Sequence, residues 1–269
     1  MTLNLQETLD EARHIAYSAG GILRAYYEGS VSLTTKSSSV DIVTEADKDA
    51  EIYITGRLLN AFPEMHIVGE EGGGSGADIA TAEYRWYVDP VDGTTNFANK
   101  LPVFAISLAL TDAKMNPLVG VVYNPITNEM FTAYKGGGAM LNGRTLTVSD
   151  ATTLNQCVLA SGFPYDKATN PNNNLDHWGA FLVRTRGMRR WGAAALDLCY
   201  VAAGRFDGYW EGYLNPWDLL GGVLLIQEAG GIVSDYTGET DPETIYSRGY
   251  IVAANPTIHP LMLDVLNKR

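Results

Sequence analysis

The segment from Trp86 to Phe97 reads WYVDPVDGTTNF. Asp89 and Asp92 stand three residues apart at the end of an apolar run, with Pro90 between them. Proline fixes the backbone and removes an N–H donor, and here it turns the chain so that Asp92 can come back beside Asp89. Two carboxylates at short range repel, and one is driven to protonate. A divalent cation resolves the conflict. Hard oxygen ligands suit Mg²⁺, which is held by a few carboxylates, keeps several waters and bridges to substrate phosphate. The Val91 carbonyl, turned away from any ladder, is a further ligand. Gly93-Thr94-Thr95 then reads as the start of a helix, whose N–H groups and dipole make an anion site beside the metal. An Asx turn with a helix cap is the plainer reading of DPVDG alone, because these are all turn residues. The order strand, Asp, Pro, Asp, Gly, Thr, Thr is more specific.

Other acids join this pair. Glu70 sits in Gly69-Glu70-Glu71-Gly72, between a strand and a glycine-rich run; alone it is a solvated charge. Asp218 in Pro216-Trp217-Asp218 stands at a helix start, where capping is the default duty. Together Glu70, Asp89, Asp92 and Asp218 make a multi-metal cage. Asp47, in the first turn of its own helix, is placed to accept a hydrogen bond from Thr94 and so help Thr94 orient a water.

These residues need elements to hold them. Apolar residues recur at three- and four-residue steps over 3–27, which predicts an amphipathic helix closed by Gly29. The stretch to Asp47 is a loop or hairpin, mobile around Lys36-Ser37-Ser38-Ser39. Thr44 and Asp47 resemble a capping box, and the helix they open runs to about Asn60 before Phe62-Pro63. Strands are expected at 66–69, 85–89, 103–111, 118–123, 129–134 and 157–161, the 118–123 and 129–134 pair forming a hairpin. Residues 72–78, GGGSGAD, read as a loop. The C-terminal half alternates: helix 192–203, strand 207–210, helix 217–229, strands near 231–235 and 249–253, and a last helix from about 257. The weakest seam lies at 145–156. The expectation is an α+β fold of layered sheets and helices, one unit over 1–269 with subdomains of about 1–150 and 151–269.

The formal charge of −12 gives the field the wrong sign for a nucleic acid or an anionic membrane surface, so neither is an expected partner. No apolar run approaches the roughly 18 residues needed to span a bilayer. The two cysteines, Cys157 and Cys199, have no metal-site spacing and fit a reduced, cytoplasmic setting. The run Gly72 to Ala77 satisfies G-x-G-x-x-A on paper, but no clear helix follows, so a dinucleotide site is not expected. The histidines, His14, His66, His177 and His259, have no ligand spacing.

The motifs GEE at 69–71, DPVDGTTNF at 89–97 and PWD at 216–218 resemble the inositol monophosphatase family. The likeness covers nearly the whole chain, including KSSSVDIVTEADKDAE at 36–51, GFPYD at 162–166, RRWGAAALDLCYVAAGRFDGYWE at 189–211 and QEAGGIVSD at 227–235. It implies a layered αβαβα sandwich of sugar-phosphatase type. It also implies a Mg²⁺-dependent, lithium-sensitive phosphomonoesterase acting on myo-inositol 1-phosphate through a metal-activated water, and a homodimer. By the same resemblance Glu70, Asp89 and the Val91 carbonyl hold a first Mg²⁺. Asp89, Asp92 and Asp218 hold a second, and Glu70 reaches a third near the mobile loop of Lys36. Thr94, supported by Asp47, positions the water. Gly93 and Thr94 bind phosphate. Asp92, Gly192, Ala193, Ala194, Glu211 and Asp218 line the substrate pocket. Animal members place a hydroxyl residue where Ala193 stands, which removes one substrate hydrogen bond. The same cage serves relatives acting on fructose 1,6-bisphosphate, NADP, histidinol phosphate or 3′-phosphoadenosine 5′-phosphate. A regulatory, protein-binding role is the rival of a different class.

Overall fold

A computed structural model describes residues 3–29, 33–35 and 42–268. Helix α1 (Leu5–Glu28) is capped by Asn4, whose side chain accepts the Glu7 N–H at 3.3 Å. Its periodic face, Leu9, Ala12, Ile15, Ala16, Ala19 and Leu23, is buried. The short strands β1 (Leu33–Thr35) and β2 (Ile42–Thr44) pair antiparallel. Helix α2 (Glu45–Ala61) opens on the expected capping box: the Asp47 carboxylate accepts the Thr44 N–H at 3.0 Å while Thr44 accepts that of Asp47.

The larger sheet contains β3 (His66–Gly69), β4 (Gly73–Gly76), β5 (Tyr84–Asp92), β6 (Ala105–Asp112), β7 (Pro117–Asn124), β8 (Glu129–Tyr134), β9 (Ala139–Leu141) and β10 (Arg144–Thr145), in the order β10-β9-β8-β7-β6-β5-β3-β4. Only the β3–β5 pairing is parallel. The expected loop at 72–78 is instead an edge strand, β4, paired with β3. Gly73 and Gly76 have φ of +72° and +85°, and a Cβ on Gly76 would lie 2.5 Å from the Met65 carbonyl. Glycine therefore makes this tight return possible and does not signal looseness.

The smaller sheet is built from β11 (Val158–Ser161), β12 (Gly187–Arg189), β13 (Gly208–Glu211), β14 (Ile232–Ser234) and β15 (Ile251–Ala254), ordered β12-β11-β13-β15-β14. Between the sheets' strands run α3 (Thr94–Ala98), α4 (Leu175–Leu182), α5 (Ala194–Ala202), α6 (Pro216–Glu228) and α7 (Pro242–Arg248), with α8 (Ile258–Asn267) last. Strand β12 and helices α4 and α7 lie in stretches where no element is expected. Phe181 is the sole buried residue of α4, so α4 shows no apolar period to read.

Alternation sorts the core into layers. Helices α1 and α2 pack on one face of the large sheet, with Trp86, Val88, Ile106 and Leu108 between them. The other face, carrying Tyr87, Ala109 and Val122, meets α5 and α6, whose far side meets Tyr209, Ile251 and Ala253 of the small sheet. Leu159, Trp210 and Val252 point the other way, onto α4 and α8. This is the expected αβαβα sandwich. We propose residues 1–150 and 151–269 as its two subdomains; the large sheet ending at Thr145 and the small one starting at Val158 support that division.

Helix α6 comes unusually close to the large sheet. A Cβ on Gly120 would lie 2.7 Å from the Gly221 carbonyl, and one on Gly221 would lie 3.1 Å from Ser107 Oγ. Ser107 Oγ in turn donates to the Trp217 carbonyl at 3.0 Å, fixing the start of α6 against β6. Gly120→Ala must push α6 outward. Overpacking of this kind costs about 1–3 kcal/mol, so the urea midpoint should fall; an unchanged midpoint would refute the close-approach argument.

Candidate active site

Strand β5 does not stop at Asp89 as expected; it runs through Asp92. Its register with β6 shifts between Asp89, opposite Ser107, and Asp92, opposite Ala105. Three steps on β5 thus match two on β6, which is a bulge of one extra residue. In an unbroken strand, residues three apart face opposite sides. The extra residue resets that alternation and lets both carboxylates reach one region. Pro90 is tolerated because a bulge asks for no ladder donor at that point.

Carboxylate oxygens of Glu70, Asp89 and Asp218 lie within 4.8 Å of one another. Glu70 follows β3, Asp89 is at the bulge, and Asp218 is in the first turn of α6. Asp89 is buried, and Glu70 and Asp218 are half-buried. Burial first, and then Glu70, Asp92 and Asp218, drive the Asp89 carboxyl well above its ordinary range. Burial and Asp92 do the same to Asp218, which also accepts the Asn215 N–H at 2.7 Å as a helix cap. Asp92 sits beside this trio. Its two oxygens accept N–H groups from Ala194 at 3.0 Å and Ala195 at 2.8 Å, at the start of α5. Burial raises its pKa to about 7, although the N–H groups of Ala195, Leu196 and Ala194 oppose the rise.

Gly93 follows with φ +93°, and a Cβ there would meet the Val103 carbonyl at 3.0 Å and Ala193 Cβ at 3.1 Å. Only glycine both adopts that conformation freely and fits. It starts α3, which has no side-chain cap on its first N–H groups. Thr94 Oγ1 lies 3.1 Å from Asp47 Oδ1 and 3.1 Å from the Val91 carbonyl. Asp47 is buried, which raises its pKa, and Thr44 and Thr94 hold it from the other side.

Glu211 ends β13. Tyr209 donates to its carboxylate at 2.5 Å, and Arg190 is near enough to stabilise its charge, yet burial still raises it to about 7. Its carboxylate lies directly on the Gly162 backbone, where any Cβ would collide. Gly192 and the buried Ala193 and Ala194 form the approach to α5. The charges of Asp92 and Glu211 both act on Asp218, and both also act on the buried Asp197. Lys36 lies outside the described residues.

Several contributing residues were not singled out by sequence reasoning. Glu51 is buried, accepts the Glu71 N–H at 2.8 Å and that of Gly72, and so cinches the turn carrying Glu70. Its signal was available: it stands four residues after Asp47, on the same helix face. Asn96 Nδ2 donates to the carbonyls of Val103 and Trp191, each at 2.7 Å, tying α3 to the approach of α5. Asp197 is buried in α5 with an Oδ1 that lacks a partner, and burial raises its pKa well above normal. Nothing in the pattern ALDL marks it.

The layered order of helix and sheet, with a carboxylate cluster where β5, α5 and α6 converge, defines the sugar-phosphatase class of fold. The model of the inositol monophosphatase family matches residues 4–269, and the chain belongs to that family. It is 42% identical over 265 residues to the Nus factor SuhB of Pseudomonas aeruginosa, covering 97% of this chain and 96% of that one. Among solved structures it resembles the inositol monophosphatase of Anabaena (TM-score 0.88, 39% identity, 98% and 96% coverage). It likewise resembles the extragenic suppressor protein suhB of Bartonella henselae (TM-score 0.90, 37% identity, 97% and 99% coverage). Relatives named as Nus factors leave the expected absence of a nucleic-acid partner without support.

The raised carboxyls fix the sign of a pH effect. Asp92 moves from 3.8, and Glu211 from 4.5, to about 7. A raised acid favours the folded state when protonated, so that stability is complete below the unfolded value and is lost as pH rises through about 7. In EDTA the Tm should therefore fall as pH climbs across this window. Mg²⁺ should raise it most at the alkaline end. A metal-free Tm that rose with pH would contradict the assignment.

Proposed function

We propose that the protein is a Mg²⁺-dependent phosphate monoesterase whose preferred substrate is myo-inositol 1-phosphate. The carrying observation is the convergence of Glu70, Asp89 and Asp218 oxygens within 4.8 Å at a buried strand end. That donor set fits a hard cation: carboxylates only, so crowded that protonation is the alternative. Glu70, Asp89, Asp92, Asp218 and the Val91 carbonyl would hold two to three ions. When bound, Mg²⁺ supplies Lewis-acid polarisation of a phosphoryl oxygen and lowers the pKa of a coordinated water.

The chain's own groups do the rest. Thr94 Oγ1 has Asp47 and the Val91 carbonyl as acceptors for its one proton, each at 3.1 Å, so its oxygen is the group that would accept a hydrogen bond from the attacking water. The uncapped N–H groups at Gly93 and Thr94 bind phosphate. Asp92, pinned by α5, and Asp218, pinned by its cap, keep their positions before substrate arrives, so little reorganisation is required. Glu211 accepts hydroxyls of the polyol, with Gly192, Ala193 and Ala194 shaping the wall beside it. Phosphoryl transfer needs positioning and charge neutralisation more than covalent help.

A second reading rests on the relatives named as Nus factors: a regulatory role through a macromolecular partner. Residues Leu182 and Val183, 53% and 79% exposed at the end of α4, support a homodimer. The two free, buried thiols support a cytoplasmic setting. No helix among the described residues is long and apolar enough to cross a membrane.

The test is phosphate release with Mg²⁺, with EDTA and with Mg²⁺ plus Li⁺, from inositol 1-phosphate, fructose 1,6-bisphosphate, NADP, histidinol phosphate and 3′-phosphoadenosine 5′-phosphate. Mg²⁺-dependent release favouring inositol 1-phosphate is expected, with inhibition by Li⁺. Asp92→Asn should cost at least about 100-fold in kcat, the scale of a lost preorganised electrostatic group. Glu211→Gln should damage inositol 1-phosphate turnover more than that of the other esters. Equal losses on all esters would remove Glu211 from the polyol pocket, and no release from folded protein would favour the regulatory reading.

A further inference from the structure

On the opposite face of the small sheet from α5 and α6 lies a cavity of about 560 Å³ between α4, α8 and the end of β13. Tyr213, Tyr236, Tyr250 and His177 line it, together with Asp176 and Lys268. The rings stand as walls at steep angles to one another. Tyr236 and Tyr250 are 5.2 Å apart at 84°, Tyr213 and Tyr250 are 5.2 Å apart at 54°, and His177 and Tyr236 are 5.7 Å apart at 86°.

The backbone is strained to place one of these walls. Tyr213 has φ +68°, a left-handed conformation rarely taken by a bulky side chain. Such outliers persist where surrounding structure or function over-determines them. Tyr213 is nonetheless 43% exposed, so burial in the core does not account for its position. Gly212 permits the arrangement, since a Cβ there would lie 2.7 Å from the Tyr250 ring.

Charge decides what fits. Asp176 lines the cavity, and the negative charge of Glu211 reaches Tyr236. The lining cation, Lys268, is within 3.7 Å of Asp264 and is partly neutralised. Asp176 is then the carboxylate that stands with the aromatic walls. Aromatic faces and a carboxylate together suit a cation, and cages of this kind recognise organic ammonium groups. We propose that this cleft is a second ligand site, distinct from the carboxylate cluster, that binds an organic ammonium cation.

The test is saturation-transfer NMR on the whole protein with tetramethylammonium as the probe and with adenosine and glucose as alternatives. Saturation of the tetramethylammonium methyls is expected. It should weaken roughly fivefold or more in Asp176→Asn and in Tyr213→Gly, and persist in Tyr213→Phe. Glycine suits the left-handed backbone at 213, so loss of signal in that variant reports the ring and not the fold; circular dichroism checks this. The proposal is overturned by any of three results: no transfer to tetramethylammonium, equal transfer in wild type and both weakening variants, or transfer to adenosine or glucose alone.

Discussion

Mutual repulsion among carboxylates brought out of water is the constraint on which this structure depends. Asp89, Asp92 and Asp218 each have a neighbour of the same sign, and each is raised by burial. A folded chain would ordinarily separate them. Here separate elements converge to hold them together: a bulge in β5, the turn after β3 and the first turn of α6. That cost is what the proposed cation site accounts for, because a cation would turn the same repulsion into ligation.

Much of the surrounding architecture resists relaxation of this arrangement. The α5 N–H groups grip Asp92, Asn215 caps onto Asp218, and Glu51 closes the turn that carries Glu70. Ser107 and the Gly120–Gly221 contact fix the height of α6 over the sheet. Asn96 binds the two loops that flank Gly93. These are neutral or backbone contacts, so they define positions without cancelling the negative charge that the proposed metal site requires.

The fold was readable wherever period and punctuation agreed. Helix α1 shows its buried face every three or four residues, and α2 announces itself through Thr44 and Asp47. The glycines of β4 misled because flexibility and tight pairing use the same residue. Helix α4 escaped because its contact with the core rests on Phe181, which leaves no period. At the site, Asp89, Asp92, Glu70 and Asp218 stand out as candidates because carboxylates are conspicuous beside strand ends and helix starts, and it is Glu70, Asp89 and Asp218 whose oxygens the fold brings together. The bulge that aligns Asp89 with Asp92 was not readable, since register belongs to the pairing of β5 with β6. Glu51 and Asp197 were missed because an acid on a helix reads as solvated surface until tertiary packing buries it.

Calorimetric titration of the metal-free protein with Mg²⁺, repeated in two buffers of different ionisation enthalpy, addresses the central claim most directly. If burial and crowding have raised the cluster's carboxyls, Mg²⁺ must displace protons in order to bind. Binding with net proton release near neutral pH, diminishing as pH rises well above about 7, is the predicted result. Mg²⁺ binding without proton release at any pH would contradict the account of the cluster, and absence of binding would remove its function as a metal site.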